Sequence, residues 1–81
     1  MRVYLEQIPD VIIDENWHGG GYCDGDVHID KSLNPRQRRV VAIHEVLEWY
    51  LKGRVKHSKL DPLAIEILNT LDNLNYEERN D

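Results

Sequence analysis

One stretch of the sequence carries residue types and a spacing that are suited to metal chemistry. "VVAIHEVLEWYLKG", Val40 to Gly53, contains His44-Glu45 and, four residues after the histidine, Glu48. In the H-E-x-x-H helix of zinc peptidases, both histidines bind zinc and the glutamate is the general base. Glu48 stands at the position of the second histidine. The stretch is therefore either a metal site with an altered ligand or a helix that contains an ion-paired histidine.

The first interpretation needs three ligands around one ion. Side chains at positions i and i+4 of a helix lie on one face, so His44 and Glu48 can reach the same ion. Zinc accepts imidazole nitrogen and carboxylate oxygen, and a catalytic zinc site leaves one position open. His57 is the candidate third ligand, because a helix that ends at Gly53 allows the chain to turn back. Glu45 would then be the base that takes a proton from a water molecule at the metal.

The second interpretation involves no metal. His44 would lie at the edge of the buried face, with Glu48 as its partner one turn on. Such a pair stabilises a helix by a few tenths of a kcal/mol, about 0.2–0.5. Spacing alone leaves both interpretations open.

The helix that must position these residues has clear boundaries in the sequence. Asn34 is a good N-cap, Pro35 suits the first helical position, and Gln37 completes a capping-box pattern. Gly53 is typical of the position just after a helix. These signals predict a helix over residues 35–52.

The faces of this helix are predicted from its periodicity of about 100° per residue. One broad apolar arc is expected to face the core: Val40, Ile43, Val46, Leu47, Tyr50 and Leu51. Trp49 lies nearly opposite this arc. An exposed indole there indicates a second contact surface, such as a homo-oligomer interface.

The part of the chain before this helix is predicted to contain short strands. Alternation indicates a strand over residues 3–8, which residues 11–13 extend or resume. Residues 17–26, "WHGGGYCDGD", have the composition of a turn-rich connection. "DVHID", residues 26–30, is typical of another strand.

A second helix is predicted from Asp61-Pro62 to about Tyr76, with residues 54–60 as a loop that carries His57. Its apolar face comprises Leu63, Ala64, Ile67, Leu68, Leu71 and Leu74. The expected fold is α+β, with two or three short strands followed by two helices packed on one face of the sheet. The 81 residues form a single domain, divided into strands and glycine-rich turn (1–33), metal-site helix (35–52) and C-terminal helix (62–76).

Composition excludes several classes of function. A net charge of −5 argues against nucleic acid as a partner, because phosphate contacts require a basic face. No stretch approaches the ~18 apolar residues of a membrane helix. The start, "MRVYLEQIPD", lacks the apolar region of a signal peptide, and Cys23 alone forms no intrachain disulfide. A cytoplasmic protein is expected.

The segment before the helix offers a weaker second cluster. His18, Cys23 and His28 could hold zinc with Asp26, but their irregular spacing and the single thiolate argue against a closed site. Asp30 either caps the loop into the helix or orients a ligating histidine. Trp17 and Tyr22 are expected to cover the open edge of the sheet.

A longer segment resembles a known family. "GDVHIDKSLNPRQRRVVAIHEVLEWYL" is similar to the segment shared by ImmA/IrrE-type zinc peptidase-like proteins, which include very short phage and prophage members. The shared features are a glycine-containing turn (Gly25), a short strand (27–30), a proline before the helix (Pro35), basic residues opening it (36–39), and His44-Glu45. The similarity covers roughly residues 19–76.

The resemblance implies a minimal zincin-like core, Zn²⁺ held by the helix, and a peptide or protein substrate. In such proteins the strand before the helix binds substrate by strand addition, which here implies an edge at residues 27–30. It also implies the host cytoplasm, if the gene belongs to a phage. The sequence departs from the family at Glu48. The third ligand is either His57, which we favour, or Glu66, which is expected to face solvent.

Two functions therefore remain. The first is a small zinc-binding protein that acts as a metal-dependent peptidase, with His44, Glu48 and His57 as ligands and Glu45 as base. The alternative is a catalytically inactive or metal-free protein that acts by binding a protein partner.

Overall fold

The described residues of the computed structural model, 1–8, 11–14 and 17–80, form short strands followed by two helices, so the predicted α+β class is confirmed. The elements are β1 (Val3–Glu6), β2 (Val11–Asp14), β3 (Trp17–Gly19), β4 (Gly21–Cys23), β5 (Val27–Asp30), α1 (Pro35–Leu51) and α2 (His57–Arg79). No helix within these ranges is both long and apolar enough to cross a membrane.

The main sheet has the strand order β1-β5-β4, with β5 parallel to β1 and antiparallel to β4. β2 and β3 pair antiparallel in a separate two-stranded sheet. The prediction of a turn-rich connection at residues 17–26 was wrong, because backbone pairing with β5 makes Gly21–Cys23 a strand despite its glycine. The prediction that residues 27–30 form an edge was also wrong, because β5 has a neighbour on each side.

Helix α1 packs on β4 and β5, and Val27, Ile29 and Val41 form the buried core between them. Gly21 allows this close approach. A Cβ at this position would collide with the carbonyl oxygen of His28 and would lie 2.8 Å from Cγ1 of Val41. The strand β4 therefore runs close beneath the face of α1 that carries His44.

The predicted ends of α1 agree with the structure to within one residue. The Asn34 side chain accepts from the Gln37 backbone N–H, and the Gln37 side chain accepts from the Asn34 backbone N–H. After Leu51 the chain reverses at Gly53, whose φ of 78° lies in the left-handed region that favours glycine.

Helix α2 packs chiefly on α1, through the buried residues Leu60, Ala64 and Leu68. Arg36 joins the two helices, donating to Asn69 Oδ1 at 2.8 Å and to Asp72 Oδ2 at 3.4 Å. Because α2 has 23 residues and α1 has 17, α2 extends beyond its partner. Four residues of the predicted apolar face are exposed, contrary to expectation: Leu63, Ile67, Leu71 and Leu74.

The predicted start of α2 at Asp61-Pro62 was wrong, because the helix begins four residues earlier, at His57. Pro62 lies inside it, where a proline removes one backbone hydrogen bond. Tertiary contacts hold this first turn in helical geometry nonetheless. Leu60 is buried, and the Asp61 side chain is bound to His44 on α1. His57 is consequently a helical residue and not part of a loop.

The outer face of the sheet carries an aromatic and acidic cluster centred on His28. Its ring stacks between Tyr22, at a centroid distance of 4.4 Å, and Tyr4, at 5.2 Å. Its nitrogens face Glu6 Oε1 at 2.8 Å and Asp24 Oδ1 at 3.0 Å. Desolvation alone would lower the pKa of His28, but the hydrogen bonds to Asp24 and Glu6 outweigh it and raise this pKa. The cluster ties β1, β4 and β5 together.

This arrangement bears on the second zinc cluster considered from the sequence. Both nitrogens of His28 are engaged by carboxylates, and the Asp26 carboxylate accepts from the Arg2 backbone N–H. The side chains of His18 and Trp17 lie outside the described part of the structure. Tyr22 is exposed and stacks on His28, so its predicted role in covering the sheet edge was wrong.

Candidate metal centre

Three side chains from the two helices meet beside β4. His44 and Glu48 lie one turn apart on α1, and His57 is the first residue of α2. One ligand atom from each lies within 4.8 Å of the others, so this group could hold a metal ion. Glu48 Oε2 is 2.9 Å from His44 Nε2 and 3.6 Å from His57 Nε2. The reversal at Gly53 is what returns the chain to this face of α1.

His44 is also held from its other side. Its Nδ1 lies 2.6 Å from Asp61 Oδ1, and an ionised carboxylate can only accept a hydrogen bond. Nδ1–H therefore donates to Asp61, and Nε2 points at Glu48. Sequence reasoning missed this role of Asp61, which it used only as the predicted start of the second helix. The sequence could have indicated this role, because Asp61 comes four residues after His57. If the helix starts at His57, the two side chains lie on one face.

The distances within this group can be compared with those in a zinc site. With the proton of His44 on Nδ1, Nε2 and Glu48 Oε2 are both acceptors, and at 2.9 Å either a proton or a cation must lie between them. Zinc–ligand bonds of about 2.0–2.2 Å in tetrahedral geometry place neighbouring ligand atoms roughly 3.3–3.5 Å apart. The two distances to Glu48 lie on either side of that value. Binding of an ion would require His44 Nε2 and Glu48 Oε2 to move apart, since their separation is shorter than this range.

The burial of the three residues resembles that of an open site. The His44 side chain is only 4% exposed, whereas those of Glu48 and His57 are 49% and 51% exposed. A cleft of about 390 Å³ opens from the cluster toward β4. Its walls include Gly20, Gly21, Tyr22, Cys23, Val41 and Glu45. One side of a bound ion would therefore face this cleft.

Glu45, predicted from the sequence as the base, lines the same cleft. Desolvation raises its pKa from 4.5 to about 7, and the neighbouring charges of Glu48 and Asp61 add to this, while His44 opposes it. A carboxyl group with this pKa exchanges its proton near neutral pH, as a general base must.

Trp49 is half-buried, so the prediction of an exposed indole was wrong. Its ring is covered by Lys52, whose Nζ lies 4.2 Å from the ring centroid. Together with Cys23 the two residues line a second cleft of about 350 Å³, which shares Glu45 and Glu48 with the first. The indole thus borders the candidate site.

The other candidates from the sequence lie away from the cluster. Glu66 is exposed on α2, as predicted, and is not part of the ligand group. Asp30 accepts from the Ser32 backbone N–H at 3.0 Å, so it stabilises the turn that leads into α1. Between the two alternatives for the third ligand, the structure brings His57 and not Glu66 to His44 and Glu48.

Comparison with protein-family models, curated proteins and solved structures finds no match to this chain. The resemblance of roughly residues 19–76 to ImmA/IrrE-type proteins therefore stays a prediction from the sequence. Any function assigned to the chain depends on the geometry of the site and on the chemistry of its ligand types.

The Glu45 carboxyl group predicts a pH dependence of stability in the metal-free protein. The pKa of Glu45 is near 4.5 in the unfolded chain and about 7 in the folded protein. The folded state therefore binds more protons between these values, and the free energy of unfolding falls as pH rises through this window. This difference in pKa changes the free energy of unfolding by about 3 kcal/mol at most. Glu45→Gln removes this dependence, so its stability relative to wild type should increase with pH.

Urea unfolding in EDTA between pH 4.5 and pH 8 measures this difference. Glu66→Gln, which makes the same change at an exposed position, should follow the wild type throughout. Parallel pH profiles for Glu45→Gln and wild type would contradict the assignment.

Proposed function

We propose that this chain is a small zincin-like zinc-binding protein that hydrolyses peptides, with His44, Glu48 and His57 as ligands and Glu45 as general base. The observation that carries the proposal is the Asp61–His44 hydrogen bond of 2.6 Å. Histidine ligands of metal sites commonly donate their other N–H to a carboxylate, which fixes the tautomer and increases ligand basicity. His44 is buried, so Asp61 also satisfies its Nδ1–H, but a metal-free histidine would not require Nε2 to face both Glu48 and His57.

The choice of zinc follows from the ligand types. Two imidazoles and one carboxylate with one open position form a common ligand set of catalytic zinc. Calcium and magnesium prefer shells made of oxygen. A zinc ion held there would supply Lewis acidity, which polarises a peptide carbonyl and lowers the pKa of water.

The chain's own residues would do the rest. Glu45, which lines the cleft, would accept a proton from water and pass it to the leaving amine. Glu48 and His44 share α1, and His57 and Asp61 share the first turn of α2. Contact between the two helices therefore fixes the geometry of the whole group.

A peptide could bind along β4. This strand ends the main sheet, and Asp30 N donates to Gly20 O, so the backbone groups of Gly20 and Tyr22 point toward β5. By alternation, those of Gly21 and Cys23 point outward, along the wall of the cleft. An extended peptide that pairs with them would lie beside the cluster, which moves the predicted strand addition from β5 to β4.

The alternative, a metal-free partner-binding protein, is favoured by one observation, the large apolar side chains exposed on α2. It does not account for the convergence of Glu48 and His57 on the Nε2 side of His44. The two functions differ in their dependence on zinc.

One prediction of the proposed function concerns zinc retention. After zinc loading and desalting, wild type should retain about one zinc per chain, the stoichiometry of a three-ligand site. His57→Ala should lose most of it, because two ligands remain. Since the His57 side chain is half exposed, this variant is expected to keep the fold. Elemental mass spectrometry on desalted protein measures the metal, and circular dichroism checks the helices.

Ser58→Ala is the matched control, since it changes the adjacent exposed residue of the same helical turn and should retain zinc as wild type does. In wild type alone, EDTA should lower the thermal midpoint, because a metal that binds only the folded state stabilises it. No retained zinc in wild type would rule out the metal site and favour partner binding.

Another prediction separates metal binding from catalysis. Glu45→Gln should retain zinc, because Glu45 is not a ligand, but should lower peptide hydrolysis by about 10²–10⁴-fold, the usual contribution of a general base. Cleavage of a fluorogenic peptide mixture by zinc-loaded protein measures the rate. Glu66→Gln should be as active as wild type. Full activity in Glu45→Gln, or no hydrolysis by zinc-loaded wild type, would contradict a peptidase that uses Glu45.

A further inference from the structure

Three ring side chains form a row across the outer face of the main sheet. The register places Tyr4 on β1 directly opposite His28 on β5, and Tyr22 on β4 opposite the same histidine. The rings lie nearly parallel, at 19° between Tyr4 and His28 and 9° between Tyr22 and His28. Their centroid separations of 5.2 Å and 4.4 Å are close to the roughly 4.8 Å spacing of paired strands. The row therefore stacks in the direction in which one strand follows the next.

This row ends at an open edge of the sheet. Among the described strands, β4 pairs only with β5, so Tyr22 has His28 on one side and no further strand on the other. Within the same part of the chain, His28 is the only ring that stacks on Tyr22, which is 46% exposed. The face of the Tyr22 ring turned away from His28 is therefore accessible to a side chain of an added strand.

The backbone at this edge favours a close side-chain contact with Tyr22. Tyr22 directs its backbone groups at β5, as Gly20 does when its carbonyl accepts from Asp30 N. A peptide that pairs antiparallel with β4 therefore has its residue opposite Tyr22 in a non-hydrogen-bonded pair. The Cα atoms of such pairs are about 4.5 Å apart, against about 5.5 Å in hydrogen-bonded pairs. The peptide residues before and after it would point to the other face of the sheet, toward the cleft.

The charges around the row favour a cationic side chain. Glu6 and Asp24 each face one nitrogen of His28, and their side chains are 42% and 61% exposed. Two carboxylates around one imidazolium leave one net negative charge. Desolvation raises the pKa of the Tyr22 hydroxyl, and the charges of Glu6 and Asp24 raise this pKa further. Among side chains that stay charged at neutral pH, arginine is the cation with a plane that can stack on a ring.

We propose that the open face of Tyr22 is the subsite for an arginine side chain of a peptide added to β4. The guanidinium would stack on the ring in a cation–π contact, close to the exposed carboxylate of Asp24 in the bend after β4. This inference rests on the strand addition at β4 in the proposed function, but it involves neither zinc nor Glu45. The segment that this edge recognises is an extended peptide with an exposed arginine.

Peptide binding measures this preference without hydrolysis. The probes are short fluorescein-labelled peptides of serine and threonine that differ in one central residue, which is arginine, lysine or alanine. In fluorescence polarisation, wild type should bind the arginine peptide roughly 3–30-fold more tightly than the alanine peptide, as expected for a cation–π contact. The lysine peptide should bind less tightly than the arginine peptide, because an ammonium group lacks the plane of the guanidinium.

The two tyrosines of the row provide matched variants. Tyr22→Ala should bind the arginine and alanine peptides equally, whereas Tyr22→Phe, which keeps the ring, should retain the preference. Tyr4→Ala removes a ring from the β1 end of the same row and should behave as wild type does. Circular dichroism checks the fold of each variant, and the comparison of the three peptides on wild type stands if a variant does not fold.

Equal affinities of wild type for the arginine peptide and either of the other two, or no detectable binding, would overturn the subsite. Loss of the preference in Tyr4→Ala but not in Tyr22→Ala would overturn the assigned edge. Failure of the peptidase is a separate outcome, because zinc-loaded protein that prefers arginine but hydrolyses no peptide would retain the subsite. Hydrolysis without any preference for arginine would be the reverse case.

Discussion

The hydrogen bond between His44 Nδ1 and Asp61 is the contact on which the geometry of the candidate site depends. It joins the two helices at a buried point, and it directs the other ring nitrogen at Glu48 and His57. Both an ion-paired helix and a metal site use the i, i+4 pair of His44 and Glu48. A carboxylate that fixes the tautomer from a second helix favours the metal site.

Capping chemistry made much of the fold predictable. The start of α1 could be predicted because its signals are local. They are the capping residues Asn34 and Gln37 and the proline at the first helical position, Pro35. The start of α2 was not predictable in this way, because Pro62 is a local signal and tertiary contacts overrode it. The strand at Gly21–Cys23 was not predicted for the same reason. Pairing with β5 makes it a strand although glycine has a low β propensity.

The residues of the candidate site likewise differ in whether local sequence or tertiary packing determines their positions. Spacing on one helix identified His44, Glu45 and Glu48, because residues four apart on α1 must lie together. His57 was identified from the reversal that Gly53 permits. Asp61 was missed, because its role depends on the packing of α2 against α1. The prediction of Trp49 as an exposed surface also failed, since the helical wheel does not show that Lys52 folds back over the ring.

If Asp61 prepares His44 for a metal ion, removing the Asp61 charge must weaken metal binding. The zinc dissociation constants of wild type and Asp61→Asn, measured at pH 7 by competition with a chromophoric chelator, test this role. Asparagine keeps the shape of the side chain but removes the charge that orients the imidazole. Zinc binding is expected to be weaker by about 10–100-fold in Asp61→Asn, with Glu66→Gln as an unaffected control. Equal dissociation constants in wild type and Asp61→Asn would contradict this role of Asp61.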